Sequence, residues 1–378
     1  MTERVAILGS TGSVGKSALE VCKSLNIKVE GLSANSDIKT LEEQIRLFSP
    51  KYCAVADEKA ASDLKIRVSD TSVKIISGKY SSSQLVEECD CDTVLNSVSG
   101  IAGLRPTLST VMSGKTLALA NKESLVTFGT YVMSEAKKRN VKILPVDSEH
   151  SAIFQCLSGQ PIRRLILTAS GGPFYKKSRE ELSGIKPSDA LAHPTWNMGN
   201  RITIDSATMM NKGFEVIEAV HLFGVDIDSV EVVVHRESII HSMVEYIDNA
   251  VIAEMGVPDM KLCIQYALTY PERVKGPVKP LDFSRLTSLS IGMPDNDAFP
   301  LLPFAYKAYK NGGVSPAMLN GADEAAVELF LKGKISFTDI SRIVMKVTEE
   351  APKIASPTLY DIENADMEAR IRVKELSK

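Results

Sequence analysis

The sequence predicts an α/β protein in three parts: a parallel-sheet domain over residues 1–146, an α+β domain over 147–275, and a C-terminal helical bundle over 298–378. Three observations carry this division. The first part alternates short β-branched runs with longer amphipathic stretches, the pattern of parallel strands joined by helical crossovers. In the second, strand-like runs crowd together, with two helical stretches among them. Residues 276–297 are rich in Pro, Ser and Asp and read as a linker, beyond which amphipathic helices follow one another.

In order along the first part, RVAILGS reads as a strand, VGKSALEVCKSL as a helix, KVEGLSA as a second strand and IKTLEEQIRLF as a second helix. YCAVAD, DTVLNSVSG, TLALAN and KILPVD continue the strands at similar spacing. In the middle part RRLILTASG, VEVVVHRESIIHSMVEYI and AVIAEMG read as strands expected to pair antiparallel, and SEHSAIFQCL and MMNKGFEVIEAVHLF as helices. The helices of the last part are AYKAYKNGG, GADEAAVELFLKG and FTDISRIVMKVTEEA.

Composition narrows the function classes. Lys+Arg 44 against Asp+Glu 47 leaves a net charge of −3, which supports neither general nucleic-acid binding nor attraction to an anionic membrane. No apolar run is long enough to span a bilayer, and MTERVAILGS is not a secretion signal. The six cysteines are scattered, and Cys89 and Cys91 lack the second pair that a zinc site shows, so free thiols in a soluble cytoplasmic protein are expected.

VAILGSTGSVGKS places Gly9, Gly12 and Gly15 between a strand and a helix. Glycines there permit a tight turn and let backbone N–H groups approach a phosphate at the helix N-terminus, the Rossmann-like arrangement for a dinucleotide. The competing phosphate-loop reading needs Gly at position 10, which is Ser. The second strand ends LSANSD without the acid that holds NAD ribose hydroxyls, which tilts the reading toward NADP.

PVDSEHS holds two carboxylates one residue apart. In an extended chain residues i and i+2 point to one side, so Asp147 and Glu149 can converge on a cation; equally, Asp147 or Ser148 can simply cap the next helix. A further acid, Glu215, lies one helical turn beyond Asn211, next to Lys212. With Ser206 ahead of them, Asn211 and Lys212 suit a phosphate monoester. Ser170 and two glycines in TASGGPF form another donor loop, and Trp196 in HPTWNMG sits among turn-prone residues like a lid spanning 190–200.

Taken together, GSTGSVG, LANKESLV, PVDSEHSAIFQ, TASGGPF, HPTWNMG, ITIDSATMMNKGFEVIEA and HRESIIHSM closely resemble the 1-deoxy-D-xylulose 5-phosphate reductoisomerase family, in the family's order over most of the chain. The resemblance implies NADPH, Mg²⁺ or Mn²⁺, a small phosphorylated sugar substrate and a homodimer formed through the central domain. It implies Asp147, Glu149 and Glu215 as metal ligands and Ser170, Ser206, Asn211 and Lys212 as phosphate contacts, with His193 reaching the phosphate from the flap. Lys122 and Ser148 would contact the oxygenated carbons, Trp196 would cover the substrate, and Met198 would lie near the nicotinamide. Thr11, Gly12, Ser13, Val14, Asn121, Glu123 and Gly199 would line the cofactor site, with Asn35 and Ser36 standing where other members carry Gly-Lys-Asn. His241 is expected to be supportive, and His150, His221 and His235 structural. The rival enzyme is an NADP-dependent dehydrogenase of the homoserine or semialdehyde type, and a rival of another class is a non-catalytic NADPH-sensing regulator. The dehydrogenase does not predict the paired acids, the distant Glu215 or the phosphate cradle, and a polar site with no ligand missing counts against the regulator, which predicts cofactor binding without turnover.

Overall fold

The computed structural model describes residues 1–192 and 199–378. They cluster into two compact units. The first comprises Met1–Ser124, Thr130–Ser151 and Asp259–Lys279, and the second Leu125–Gly129, Ala152–Pro258 and Pro280–Lys378.

The first unit is built on β1 (Arg4–Leu8), β2 (Lys28–Ala34), β3 (Tyr52–Val55), β4 (Lys74–Ser77), β5 (Thr93–Asn96), β6 (Thr116–Leu119) and β7 (Ile143–Pro145). The strands pair in the order β4-β3-β2-β1-β5-β6-β7, each pair parallel. Between them run α1 (Ser13–Leu25), α2 (Ile38–Phe48), α3 (Glu58–Arg67), α4 (Ser81–Glu88), α5 (Leu104–Met112) and α6 (Lys122–Lys138). Central strands buried on both faces read as continuous apolar runs, and β1 is buried from Val5 to Leu8. The chain winds outward to β4 and then returns to β5 on the other side of β1. That reversal opens a crevice at the carboxyl ends of β1 and β5, where ligands of such sheets bind.

The second unit holds the body of α7 (Ser148–Cys156), β8 (Ile162–Ala169), α8 (Pro187–Ala190), α9 (Asn200–Ala207), α10 (Met210–Phe223), β9 (Val230–Val234), β10 (Ile240–Tyr246) and β11 (Val251–Met255). Its sheet has the order β11-β10-β8-β9. β10 is antiparallel to β8 and β11, but β8 and β9 are parallel, so the expected all-antiparallel pairing is corrected. The stretch from α8 to α10 lies between β8 and β9 in the chain and supplies the helical crossover that a parallel pair requires. The single run read as VEVVVHRESIIHSMVEYI breaks after Val234, and its halves flank β8 on opposite sides.

The following α11 (Met260–Thr269) belongs to the first unit, where it packs on α1, with Lys261 Nζ 3.1 Å from Glu20. The 276–297 stretch is irregular apart from a short turn at Phe283–Arg285. It is nonetheless tied to β9, because Val234 and Gly292 exchange two backbone hydrogen bonds of 2.8 Å. The chain ends in α12 (Leu301–Asn311), α13 (Ser315–Leu331), α14 (Phe337–Glu349) and α15 (Leu359–Leu376), with α13 packed against the other three. α14 and α15 start in reciprocal capping boxes, Ser336 with Asp339 and Thr358 with Asp361. All six cysteines are buried free thiols, as expected. Among the described residues no helix is long and apolar enough to cross a membrane.

Candidate active site

The glycine loop joins β1 to α1 at the carboxyl edge of the first sheet. Gly9 has φ +75°, and a Cβ there would stand 2.7 Å from the Ser97 carbonyl oxygen. A Cβ on Gly15 would stand 2.4 Å from the Gly9 carbonyl oxygen, so the third glycine lets the helix press on the loop. Ser33 receives the Gly9 N–H on its hydroxyl at 3.1 Å and the Ser10 N–H on its carbonyl at 2.8 Å. Buried Gln44 of α2 brackets Ser10: it accepts from the hydroxyl at 2.7 Å and donates to the carbonyl at 2.9 Å. No motif marks Gln44; its only signal is a buried amide on an amphipathic helix.

Gly12 precedes α1 and no side chain caps the helix there. Thr11, Gly12, Ser13 and Val14 therefore surround a helix N-terminus of the kind that receives phosphate. Asn35 and Ser36 follow β2 directly and are exposed. Asn121 caps α6 by accepting from Ser124 N–H at 3.1 Å, and its amide donates to Val98 and Gly100 carbonyls at 2.7 and 3.0 Å. Glu123 accepts from Gly100 N–H at 3.0 Å. Both residues thus shape the loop after β5.

In the same unit Asp147 ends the strand-side segment, and α7 begins at the next residue. The extended-chain geometry read for Asp147 and Glu149 is therefore replaced by a strand-to-helix turn, with Glu149 in the first turn of α7. The convergence survives: carboxylate oxygens of the two lie within 4.8 Å of one another. Lys122 Nζ is 2.6 Å from Asp147 Oδ2, and both side chains are nearly buried. Burial pushes the Asp147 carboxyl up, but the Lys122 ammonium, His150 and the hydrogen bond from Lys122 outweigh it and hold the group below the usual carboxylate range. The Ser148 hydroxyl donates to Glu149 Oε2 at 2.5 Å. His150, expected to be structural, is fully buried with a ring nitrogen within 4.8 Å of an Asp147 oxygen.

In the second unit, the loop after β8 has two left-handed glycines, Gly171 at φ +74° and Gly172 at φ +63°. Gly172 donates to the Ser170 hydroxyl at 3.3 Å, and a Cβ on Gly172 would sit 2.7 Å from the Ser206 carbonyl oxygen. Ser170 and Ser206 are thereby brought to adjoining backbone. Arg236, which sequence reasoning did not single out, fixes this loop by donating to the Ser170 and Gly172 carbonyls, each at 2.6 Å. α10 starts after Met209 at φ +62° and carries Asn211, Lys212 and Glu215. The Asn211 amide donates to one Glu215 oxygen and the Lys212 ammonium to the other. Lys212 and Glu215 are buried, so this is a desolvated, hydrogen-bonded charge cluster at a helix N-terminus.

Gly199 precedes α9, whereas His193, Trp196 and Met198 lie outside the described residues. His241 Nδ1 is 2.7 Å from Glu254 Oε2, and His235 Nδ1 is 2.8 Å from the Ser290 carbonyl. His221 packs edge-on to Tyr309 in a partly buried position, and burial lowers its pKa to about 4.

Three family profiles match the chain in succession. They are 1-deoxy-D-xylulose 5-phosphate reductoisomerase over residues 5–129, its C-terminal domain over 143–223, and a second DXP reductoisomerase C-terminal domain over 255–372. The curated 1-deoxy-D-xylulose 5-phosphate reductoisomerase of Acetivibrio thermocellus is 51% identical over 381 residues, and that of Ruminiclostridium cellulolyticum 48% over 379, each comparison covering 100% of both chains. The Zymomonas mobilis enzyme solved with NADPH is 39% identical with a TM-score of 0.93, covering 100% of both chains. A reductoisomerase solved with NADPH, fosmidomycin and magnesium is 38% identical with a TM-score of 0.94, over 100% of this chain and 99% of that one.

Proposed function

This chain belongs to the 1-deoxy-D-xylulose 5-phosphate reductoisomerase family, and we propose that its Asp147, Glu149 and Glu215 are the ligands of the catalytic divalent cation. The reaction is the NADPH- and magnesium-dependent conversion of 1-deoxy-D-xylulose 5-phosphate to 2-C-methyl-D-erythritol 4-phosphate, a step of non-mevalonate isoprenoid biosynthesis. The donor set fits a hard cation: all three are carboxylates, with room in the coordination shell for substrate oxygens and water. Mn²⁺ suits the same oxygens.

When bound, the cation supplies Lewis-acid polarisation of the substrate carbonyl, and NADPH supplies the hydride. The chain's own residues do the rest. Asn211 and Lys212 donate to the substrate phosphate in place of Glu215, and Ser170 and Ser206 complete the cradle. The observation that carries this reading is the Asn211–Lys212–Glu215 cluster on the first turns of α10, where a buried ammonium and a partly buried amide both donate to the buried Glu215 carboxylate. His193 reaches the same phosphate, and Trp196 closes over the substrate. Lys122 and Ser148 hold the oxygenated carbons, with Lys122 keeping Asp147 ionised. Thr11, Gly12, Ser13 and Val14 seat the NADPH phosphates; Asn35 and Ser36 meet the 2′-phosphate; Asn121, Glu123, Met198 and Gly199 border the nicotinamide half.

The division of labour follows the sequence: 1–146 for NADPH, 147–275 for metal and substrate with the flap at 190–200, 276–297 as linker and 298–378 as helical support. A homodimer through the middle part is favoured by the edge strand β11, whose Val251 and Ile252 are 47% and 48% exposed beside Ile247 at 66%. A cytoplasmic location suits free thiols.

The test is substrate affinity. Lys212→Ala is expected to raise KM for 1-deoxy-D-xylulose 5-phosphate by about 30-fold or more, in line with loss of a desolvated charge contact. An unchanged KM in a folded variant rules out the cradle.

A further inference from the structure

α9 is held on the C-terminal helices by a largely buried charge cluster that, among the described residues, has more acids than bases. Arg201 of α9 reaches Glu324 of α13 at 2.9 Å and its own Asp205 at 3.6 Å. Arg370 of α15 pairs with Glu324 and Asp366, each at 2.6 Å. Asn320 of α13 donates to Asp366 at 2.9 Å and to Glu324 at 3.2 Å. On α12 and α14, Lys307 pairs with Glu349, Lys310 with Asp228 and Arg342 with Asp339. Among the described residues, three carboxyls, Asp205, Glu324 and Asp366, thus meet two guanidiniums.

Asp323 is the acid left over. It is 0% exposed, and among the described residues neither of its oxygens receives a hydrogen bond. It faces Asp205 of α9, which is 4% exposed. Two buried carboxylates whose charges act on each other across packed helices cannot both stay ionised, because desolvation and mutual repulsion act together. One proton between them turns the repulsion into a charge-assisted hydrogen bond. Burial and the facing Asp205 accordingly push the Asp323 carboxyl well above the usual range, against the pull of Arg201.

We propose that Asp205 and Asp323 share one proton in a carboxyl–carboxylate hydrogen bond that fastens α9 to α13, making Asp323 a positioning residue for the phosphate-binding Ser206. The link to substrate rests on the reading of Ser206 given above; the shared proton does not. Asp205 and Ser206 are neighbours on α9, so a slip of this helix against α13 moves Ser206 and the Gly172 backbone that abuts it.

The experiment uses the full-length protein with Asp323→Asn and Asp323→Leu. Asn can donate to Asp205 at every pH, whereas Leu fills the space without a donor. The folded state holds the shared proton at pH values where the unfolded chain has released it. Wild-type stability should therefore fall as pH rises from about 4 toward the folded-state pKa, by up to about tenfold in the unfolding constant per pH unit relative to Asp323→Asn. Asp323→Leu should raise KM for 1-deoxy-D-xylulose 5-phosphate by about tenfold with kcat little changed, and Asp323→Asn should restore it. Identical pH slopes in wild type and Asp323→Asn overturn the shared proton. A wild-type KM in Asp323→Leu overturns the positioning role. Ser206→Ala separates the two readings: if its KM is unchanged while the pH slopes differ, the phosphate assignment has failed and the proton-sharing pair stands.

Discussion

Lys122 and Asp147 show how a single contact prepares chemistry. A 2.6 Å pair with little solvent around it keeps Asp147 ionised and fixes which way its carboxylate faces. Glu215 is under the same kind of control from Lys212 and Asn211. Glu215→Gln keeps the shape but removes the charge, so it is expected to lower metal-dependent kcat by about 100-fold or more with the fold intact, checked by steady-state rates across a Mg²⁺ titration. His221 gives a pH prediction. Its folded-state pKa of about 4 lies below the unfolded value, so the unfolded chain binds more protons between those limits. Its contribution is complete above about pH 6.5 and is lost as pH falls toward 4, worth about 3 kcal/mol in all. Denaturant melts of His221→Leu against wild type should lose that slope. The expected site residues were named from quoted motifs. The roles of Arg236, although it stands in the quoted HRESIIHSM, and of Gln44 were not legible, because each acts on backbone carbonyls or a hydroxyl of a loop remote in sequence, and nothing local records that target.

Secondary-structure elements were legible where the apolar period was strong, and pairing was not. β1, β2, α1 and α2 fall where β-branched runs and helical periodicity place them. β4 escaped notice because KIIS is four residues long and buries one side chain. α15 escaped because its inner face is largely small, with Ala365 and Ala369 between Ile362 and Val373, against many charges. The parallel β8–β9 pair could not be read either, since alternation reports a strand and not its partner. The glycine loop gives the sharpest element-level test. Gly15→Ala must displace the loop backbone from α1, and is expected to cost about 1–3 kcal/mol of stability and to weaken NADPH binding, measured by thermal melts and cofactor titration. Unchanged NADPH affinity would remove the loop from the cofactor site. Ser336→Ala, which breaks the capping box of α14, should cost about 1 kcal/mol without touching either ligand.

For the molecule as a whole, the proposed function divides the work between the glycine loop at the switch point of the parallel sheet, for the hydride donor, and the acid–amide–ammonium cluster of α10, for the substrate. Balanced charge leaves recognition to those buried groups instead of to a general surface field. The most direct measurement follows NADPH oxidation by the purified, metal-stripped protein with 1-deoxy-D-xylulose 5-phosphate, before and after Mg²⁺ is restored. Turnover that requires both the sugar phosphate and the cation is the expected result. A folded protein that stays inert with Mg²⁺ and Mn²⁺, or that oxidises NADPH with a semialdehyde in the presence of EDTA, would contradict it.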